Sequence, residues 1–361
     1  LDLHVVVMAG GSGERLWPQS RKSRPKPLLP VAGGKTLLAA TLARAARMTT
    51  SDRIWIVCTA DNAPAMRAAS GLARGRVLVE PRARNTAMAV GYAAAHIGRR
   101  FPDAVLAMLP ADHVIPDGRA FATTMRRAAQ AAAQADVLVT LGVVPTRAET
   151  GYGYIHVGDP VAGKSVAGLH RVRGFAEKPS AARARRYLAD GGWLWNAGIF
   201  AWRATTILEE IERHEPALGR VLAPLRNPSR ARTTGGARAR LERAYRRAPS
   251  LPIDVAVLER SDRVWTLPIY FHWNDLGNWA SLASELGVDE QASHVVAGDV
   301  WLEGAHGNLV WGGKRSIALV GVDGLAVVDT GDALLVARLD RSADVRRLVT
   351  RLREARRSEL L

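Results

Sequence analysis

Cysteine is nearly missing from this 361-residue chain, which has only one, and a lone thiol cannot form an intramolecular disulfide. The fold must then be held by a packed core, in keeping with a reducing, cytoplasmic setting. That residue, Cys58, ends the apolar run 54–57, so it reads as a buried structural thiol and not as a nucleophile. Long apolar runs are missing too, and none approaches the roughly 20 residues that a membrane helix needs. The N-terminal stretch 1–8 is too short for a signal peptide and lacks a basic leader, so it reads as a first buried strand. The nine histidines show no paired spacing, which argues against a zinc site. Acidic residues are in the minority, 34 Asp+Glu against 50 Lys+Arg, for a net charge of +16. Such an excess can mark a nucleic-acid binder, yet no basic run is interleaved with aromatics. The arginines are spread along Ala-rich helical stretches such as 181–187 and 230–247, which read as solvated surface. Their positive field favours small phosphorylated partners, with neither nucleic acid nor membrane implied.

What is present is enough apolar residue to build a core. The hydrophobic fraction of 48% against 23% charged excludes a disordered chain. The length suits one large domain plus a smaller one. Strand patterns at 3–9, 54–59, 76–79, 104–109 and 137–143 alternate with helical patterns at 36–48, 86–99 and 121–135. This alternation predicts an α/β fold with a Rossmann-like, mostly parallel mixed sheet, covered by helices on both faces. Ligands of such a sheet gather at the carboxyl ends of its strands, so acidic and Gly-rich residues just after strands are the candidates. From about residue 293 short Val-rich pieces alternate with Gly/Asp turns, predicting a small β domain with a closing helix at 342–354. The expected division is 1–285 and 286–361.

The first candidate follows the first strand directly: Ala9-Gly10-Gly11-Ser12-Gly13-Glu14-Arg15-Leu16. Glycines there let backbone N–H groups approach phosphate oxygens. It is not a dinucleotide fingerprint, because Leu16 stands where a third glycine is needed. Gly33-Gly34-Lys35-Thr36 is not a phosphate-binding P-loop either, since Leu29 replaces the leading glycine and Pro30 follows. The turn alone says little, but Arg24-Pro25-Lys26-Pro27-Leu28-Leu29-Pro30 comes soon after it. The composite G-G-x-G-x-R-L…P-K-P-L-L-P resembles the signature of the sugar-1-phosphate nucleotidylyltransferases, and within them the mannose-1-phosphate guanylyltransferases.

The resemblance implies transfer of GMP from GTP to mannose 1-phosphate, with pyrophosphate as the other product. Negative charge grows on the transferred and leaving groups, and fixed cations and backbone donors stabilise it. Arg15 and Lys26 would be those cations, over a nucleotide cradle of Ala9, Gly10, Gly11, Ser12 and Gly13. Glu80-Pro81-Arg82-Ala83-Arg84-Asn85-Thr86-Ala87 is similar to the branch pattern E-P-x-x-R-N-T-A, with Met88 where proline is common. Glu80 is the candidate base reader, because a carboxylate can accept from the two adjacent donors on the guanine edge. Asn85 and Thr86 would lie beside the nucleotide, an ordinary helix cap being the plainer reading of Thr86.

Leu109-Pro110-Ala111-Asp112 places a carboxylate after a strand, where a Mg²⁺ ligand is expected. Asp275, in Trp273-Asn274-Asp275-Leu276-Gly277, would be the second ligand. For the sugar phosphate the resemblance offers Gly153 in a Gly-Tyr-Gly-Tyr loop. It adds Glu177 and Lys178 in F-x-E-K-P, and Asn196 in W-N-A-G-I-F. Trp193 and Trp195 read as packing residues. A homodimer is one assembly that the resemblance allows. Three alternatives stay open at this point. Two keep the chemistry with another sugar, a manno-heptose or glucose 1-phosphate, and one is a paralogue that binds nucleotide sugar without turnover.

Overall fold

A computed structural model describes residues 1–11, 13–31, 34–163, 167–227 and 236–361. Ser12 of the glycine turn therefore lies outside the described residues. The chain forms two compact units that do not follow sequence order. One comprises Leu1–Gly10, Thr41–Ala111 and Ile115–Trp273; the other comprises Gly11–Ala40, Asp112–Val114 and Asn274–Leu361.

The strands, in chain order, begin with β1 (Leu3–Met8), β2 (Pro30–Val31), β3 (Lys35–Thr36), β4 (Ile54–Thr59), β5 (Val77–Glu80) and β6 (Val105–Pro110). They continue with β7 (Leu138–Val143), β8 (Tyr154–Pro160), β9 (His170–Ala176), β10 (Trp193–Arg203) and β11 (Val264–Ile269). The C-terminal part adds β12 (His294–Ala297), β13 (Val300–Glu303), β14 (Leu309–Trp311), β15 (Ile317–Val320), β16 (Leu325–Asp329) and β17 (Leu334–Arg338).

The first unit is built on a nine-stranded sheet ordered β5-β4-β1-β6-β10-β7-β11-β9-β8. Strands β5, β4, β1 and β6 run parallel, as do β7 and β11. Their β-branched runs, such as Val5-Val6-Val7, are buried on both faces, as helix-covered parallel strands require. Beyond β6 the pairing turns largely antiparallel, because β10 inserts between β6 and β7 and β8 pairs with β9. The sheet is thus mixed, with its longest parallel run confined to the N-terminal part. Helix Gly118–Ala135 starts where the Asp117 carboxylate accepts from the N–H groups of Arg119 and Ala120 at 3.1 and 2.9 Å. The Ala-rich helix Asn85–Arg100 buries Ala87, Val90, Ala93, Ala94 and Ile97 in an apolar cluster with Trp202 and Ile207.

In the second unit, β14 pairs in parallel with β12 and β16, and β13 with β15, the stacking of a short β-helix. Buried Asn308 braces its coil: its amide donates to Val322 O at 2.8 Å and accepts from Leu325 N at 2.9 Å. The expected closing helix spans Val345–Glu354, after a 3-10 turn at Leu339–Asp344. Leu16, Trp17, Leu29 and Leu37 share one apolar cluster with Trp279, Leu309, Trp311, Val345 and Val349. That shared cluster is why segment 11–40 belongs to this unit.

Cys58 sits on β4 with no exposed surface, and burial, then the nearby Glu80 charge, pushes its thiol up to about 12. It should resist a thiol reagent such as DTNB in the folded protein and react only as fast as the chain opens. Rapid labelling under native conditions would contradict this placement.

Candidate active site

Three of the charged residues expected around phosphate and metal, Lys26, Asp112 and Asp275, come together within the second unit. The isolated bridge Val114–Asn274 ties two distant segments, with N–H···O bonds of 2.8 and 3.1 Å. This bridge brings the Asp112 and Asp275 segments alongside each other. Lys26 joins them: its ammonium pairs with Asp112 Oδ2 at 2.6 Å and donates to the Asp275 carbonyl at 2.7 Å. Lys26 is largely buried for a lysine, 8% exposed. Burial pushes the Asp112 carboxyl up, but Lys26, then His113 and hydrogen bonds, outweigh it and hold the group below the usual carboxylate range. Asp275 Oδ1 accepts from Gly277 N at 3.0 Å.

Gly13 makes this approach feasible. Its φ is +61°, and a Cβ there would lie 2.4 Å from Ser20 Oγ and 2.7 Å from Lys26 Cβ. Any larger residue would lift the glycine turn off Lys26. Arg15 stands exposed on the short turn Glu14–Leu16 that follows. Its neighbour Glu14 is bonded by Arg353 of the closing helix at 2.8 Å.

The second set lies in the first unit. Ala9, at the end of β1, has spent its N–H on Val57 O at 2.8 Å, whereas Gly10 stands exposed beyond it. Glu80 ends β5 and is 4% exposed. Tyr245 donates its hydroxyl to Glu80 Oε1 at 3.1 Å, and Glu80 Oε2 lies 3.3 Å from where a Gly10 Cβ would stand. Glu80 and the first glycine of the turn are therefore neighbours. Burial raises the Glu80 carboxyl from its ordinary 4.5 to about 7, and the Tyr245 bond only partly offsets this. Asn85 opens the next helix at φ +61°, and its Oδ1 accepts from Thr86 N at 2.8 Å. Thr86 Oγ1 accepts from Ile253 N at 2.8 Å, so Thr86 braces the turn rather than capping the helix.

The sugar-side residues also meet in the first unit. Asn196 lies at a register shift in the pairing of β10 with β7, between Asn196 and Phe200. Such a bulge re-aims side chains. A Cβ on Gly153 would come within 2.7 Å of Glu177 Oε2 and 3.3 Å of Asn196 Cβ, so these three residues crowd together. Lys178, at φ +46°, carries an exposed ammonium paired with the Glu177 carboxylate. Asp254 was missed in the sequence. It contacts Asn196, whose Nδ2 donates to its Oδ1 at 2.8 Å. The only local signal was one carboxylate inside the apolar run 253–258. Trp193 stacks on Tyr187 at 3.7 Å between ring centres, a packing contact.

Among the described residues no helix is long and apolar enough to cross a membrane. None of their His, Cys, Asp or Glu side chains form a group of three or more suited to a metal. Asp112 and Asp275 nevertheless suit a hard cation that takes its other oxygens from phosphates and water. One is an ionised carboxylate on a buried ammonium, and the other belongs to the residue whose carbonyl holds that same ammonium.

A fixed ammonium between two aspartate segments suits phosphate oxygens, and a buried glutamate beside the first glycine of a turn suits a neutral donor. The chain belongs to the nucleotidyl transferase family, which it matches over residues 4–291, and residues 300–352 match the MannoseP isomerase/GMP-like β-helix domain. Members of the family generally use a divalent metal. The xanthan biosynthesis protein XanB of Xanthomonas campestris is 38% identical over 99% of this chain and 75% of its own length. Mannose-1-phosphate guanylyltransferase RfbM of Salmonella typhimurium is 35% identical over 98% of this chain and 73% of its own length. A crystal structure from Thermus thermophilus, described as a mannose-1-phosphate geranyltransferase, is 37% identical with a TM-score of 0.87. That similarity covers 98% of this chain and 100% of the other.

The raised Glu80 carboxyl has a measurable consequence for stability. Between the ordinary 4.5 and about 7, the folded chain holds a proton there that the unfolded chain has lost. Stability therefore falls as pH rises through that window and stays reduced above it. The full penalty is about 3 kcal/mol at alkaline pH. Glu80→Gln keeps the acceptor for Tyr245 and removes the charge. It should raise Tm at pH 8, with the gain vanishing near pH 4. An equal difference from wild type at both pH values would show that Glu80 ionises normally.

Proposed function

We propose that this chain transfers GMP from GTP to mannose 1-phosphate, giving GDP-mannose and pyrophosphate. The observation that carries the reading is Lys26, fixed between the Asp112 and Asp275 segments beside the glycine turn. It occurs in a chain similar over nearly its whole length to a named guanylyltransferase. An oxygen of the sugar phosphate forms a bond to the α-phosphorus of GTP, in line with the bond to the β-phosphate bridging oxygen. That bond breaks, and its electron pair leaves with pyrophosphate. The attacking phosphate is already ionised at neutral pH, so no general base is required. Lys26, Arg15 and the backbone N–H groups of the glycine turn neutralise the growing charge. Asp112 and Asp275 would hold Mg²⁺, which supplies Lewis-acid neutralisation of phosphate charge when bound.

Glu80 reads guanine in this scheme. An ionised carboxylate only accepts, and guanine presents two adjacent donors, whereas uracil presents one N–H flanked by carbonyls. Asn85 stands at the same strand-to-helix turn, and Thr86 holds that turn in shape. Lys178 takes the sugar phosphate, and Glu177, Asn196 and Gly153 form the sugar subsite.

Pyrophosphate release over a panel of nucleoside triphosphates and sugar 1-phosphates tests the reading directly. GTP with mannose 1-phosphate should be the preferred pair, and a stronger preference for glucose or manno-heptose 1-phosphate would replace it. EDTA should abolish turnover and Mg²⁺ restore it. Asp112→Asn and Asp275→Asn should each lower kcat by about 10²-fold or more. Full activity in EDTA would remove the metal from the scheme.

A further inference from the structure

Asn196 has little left to offer a ligand. Its Oδ1 accepts from Thr140 Oγ1 at 2.9 Å and from Gly198 N at 3.1 Å, and its Nδ2 donates to Asp254 Oδ1 at 2.8 Å. Because a backbone N–H can only donate, the Gly198 bond fixes which end of the amide is oxygen. Both acceptor positions are filled and one N–H remains, so Asn196 alone can donate but not accept.

The missing acceptor is supplied by Asp254. It opens a five-residue π-helical turn, Asp254–Leu258, a rare geometry often found at functional sites. The next residue, Glu259, accepts from Glu177 N at 2.9 Å. One turn thus braces the Glu177 backbone and presents a carboxylate to Asn196. Glu177 and Asn196 crowd the same glycine, Gly153. Burial, then the Glu177 charge, raises the Asp254 carboxyl to about 7. A carboxyl raised in this way gains from a further hydroxyl donor.

We propose that Asp254 is a sugar-reading residue, its carboxylate accepting from a hydroxyl of the sugar 1-phosphate beside the remaining N–H of Asn196. A hydroxyl is the one common substrate group that donates and accepts from a single atom, so this acceptor–donor pair suits it. The assignment rests on the reading of a sugar 1-phosphate as co-substrate. Rejecting a sugar that lacks the hydroxyl then follows from leaving a partly desolvated carboxylate one donor short.

The test is a functional-group cycle. Wild type, Asp254→Asn and Asp254→Ala are assayed for pyrophosphate release with GTP and mannose 1-phosphate, and with its 2-, 3-, 4- and 6-deoxy analogues. Each variant is expected to raise KM for mannose 1-phosphate at least about tenfold, with KM for GTP within about twofold of wild type. One deoxy analogue, poor with wild type, should suffer no further loss in the variants, because the group it lacks has lost its partner. Penalties that stay the same for all four analogues would overturn the proposal and leave the parent reading intact. A parallel rise in both KM values would overturn it too, as the mark of a merely structural role. Absence of turnover by wild type with every sugar 1-phosphate would sink both readings.

Discussion

The Lys26 ammonium is the contact on which the placement of the Asp112 and Asp275 segments depends. It reaches Asp112 Oδ2 at 2.6 Å and the Asp275 carbonyl at 2.7 Å, joining segments 86 and 249 positions away. A largely buried ion pair gives little net stability, but losing one partner strands the other and costs about 3–5 kcal/mol. The pair is therefore better understood as a device of position. An ammonium has three N–H donors, and two are directed at these oxygens. The third can be given to a phosphate oxygen without releasing the first two. A cation held in advance needs no rearrangement when charge develops, which is where electrostatic stabilisation is most effective.

The small β domain has a part in that positioning. Trp17 donates its indole N–H to Leu360 O at 2.7 Å and accepts at its own carbonyl from Trp279 Nε1 at 3.0 Å. Arg21 pairs with Asp332 and donates to Thr330 Oγ1 at 3.0 Å. Each contact joins the segment after the glycine turn to residues from the C-terminal part of the chain. Exposed pairs such as Glu14 with Arg353 contribute little individually. The buried Trp17, Trp279 and Trp311 supply the cohesion, and the ion pairs fix the register.

Much of this was legible in the sequence, because it is local. Alternating apolar periods located β1, β4, β6, β7 and their helices, and the glycine turn had to follow β1. Two features were not local. Segment 11–40 belongs with 274–361 because Leu16, Trp17, Leu29 and Leu37 find their apolar partners there, and no sequence period announces partners so distant. The polar partners were equally hidden. Glu80 and Tyr245 are separated by 165 positions and Asn196 and Asp254 by 58, and neither Tyr245 nor Asp254 stands in a motif that names its partner. A carboxylate in an apolar run was the one available sign of Asp254. Helical periodicity would have hidden even that, since the turn there is π-helical.

The candidate carboxyl groups sit in two kinds of environment. In the unit built on the β-helix, Asp112 faces a buried ammonium and is held below the usual range. In the unit built on the large sheet, Glu80 and Asp254 are both raised to about 7, with burial as the leading cause. A paired carboxylate suits charged ligand groups, because the charges are already balanced before phosphate arrives. A desolvated carboxyl that already accepts one bond, as Glu80 does from Tyr245 and Asp254 from Asn196, still gains from a further neutral donor such as a base edge or a sugar hydroxyl. That desolvation disfavours the charged form in the free protein. Under the proposed function the same desolvation would confer selectivity, since a ligand that lacks the donor leaves it uncompensated, and mismatches of this kind discriminate far more sharply than shape alone. On the proposed function, desolvated carboxyls would meet the neutral groups in which substrates differ, and ion-paired cations such as Lys26 and Lys178 would meet the phosphates. The phosphates, which all such substrates share, can then be held by groups that make no distinction among them.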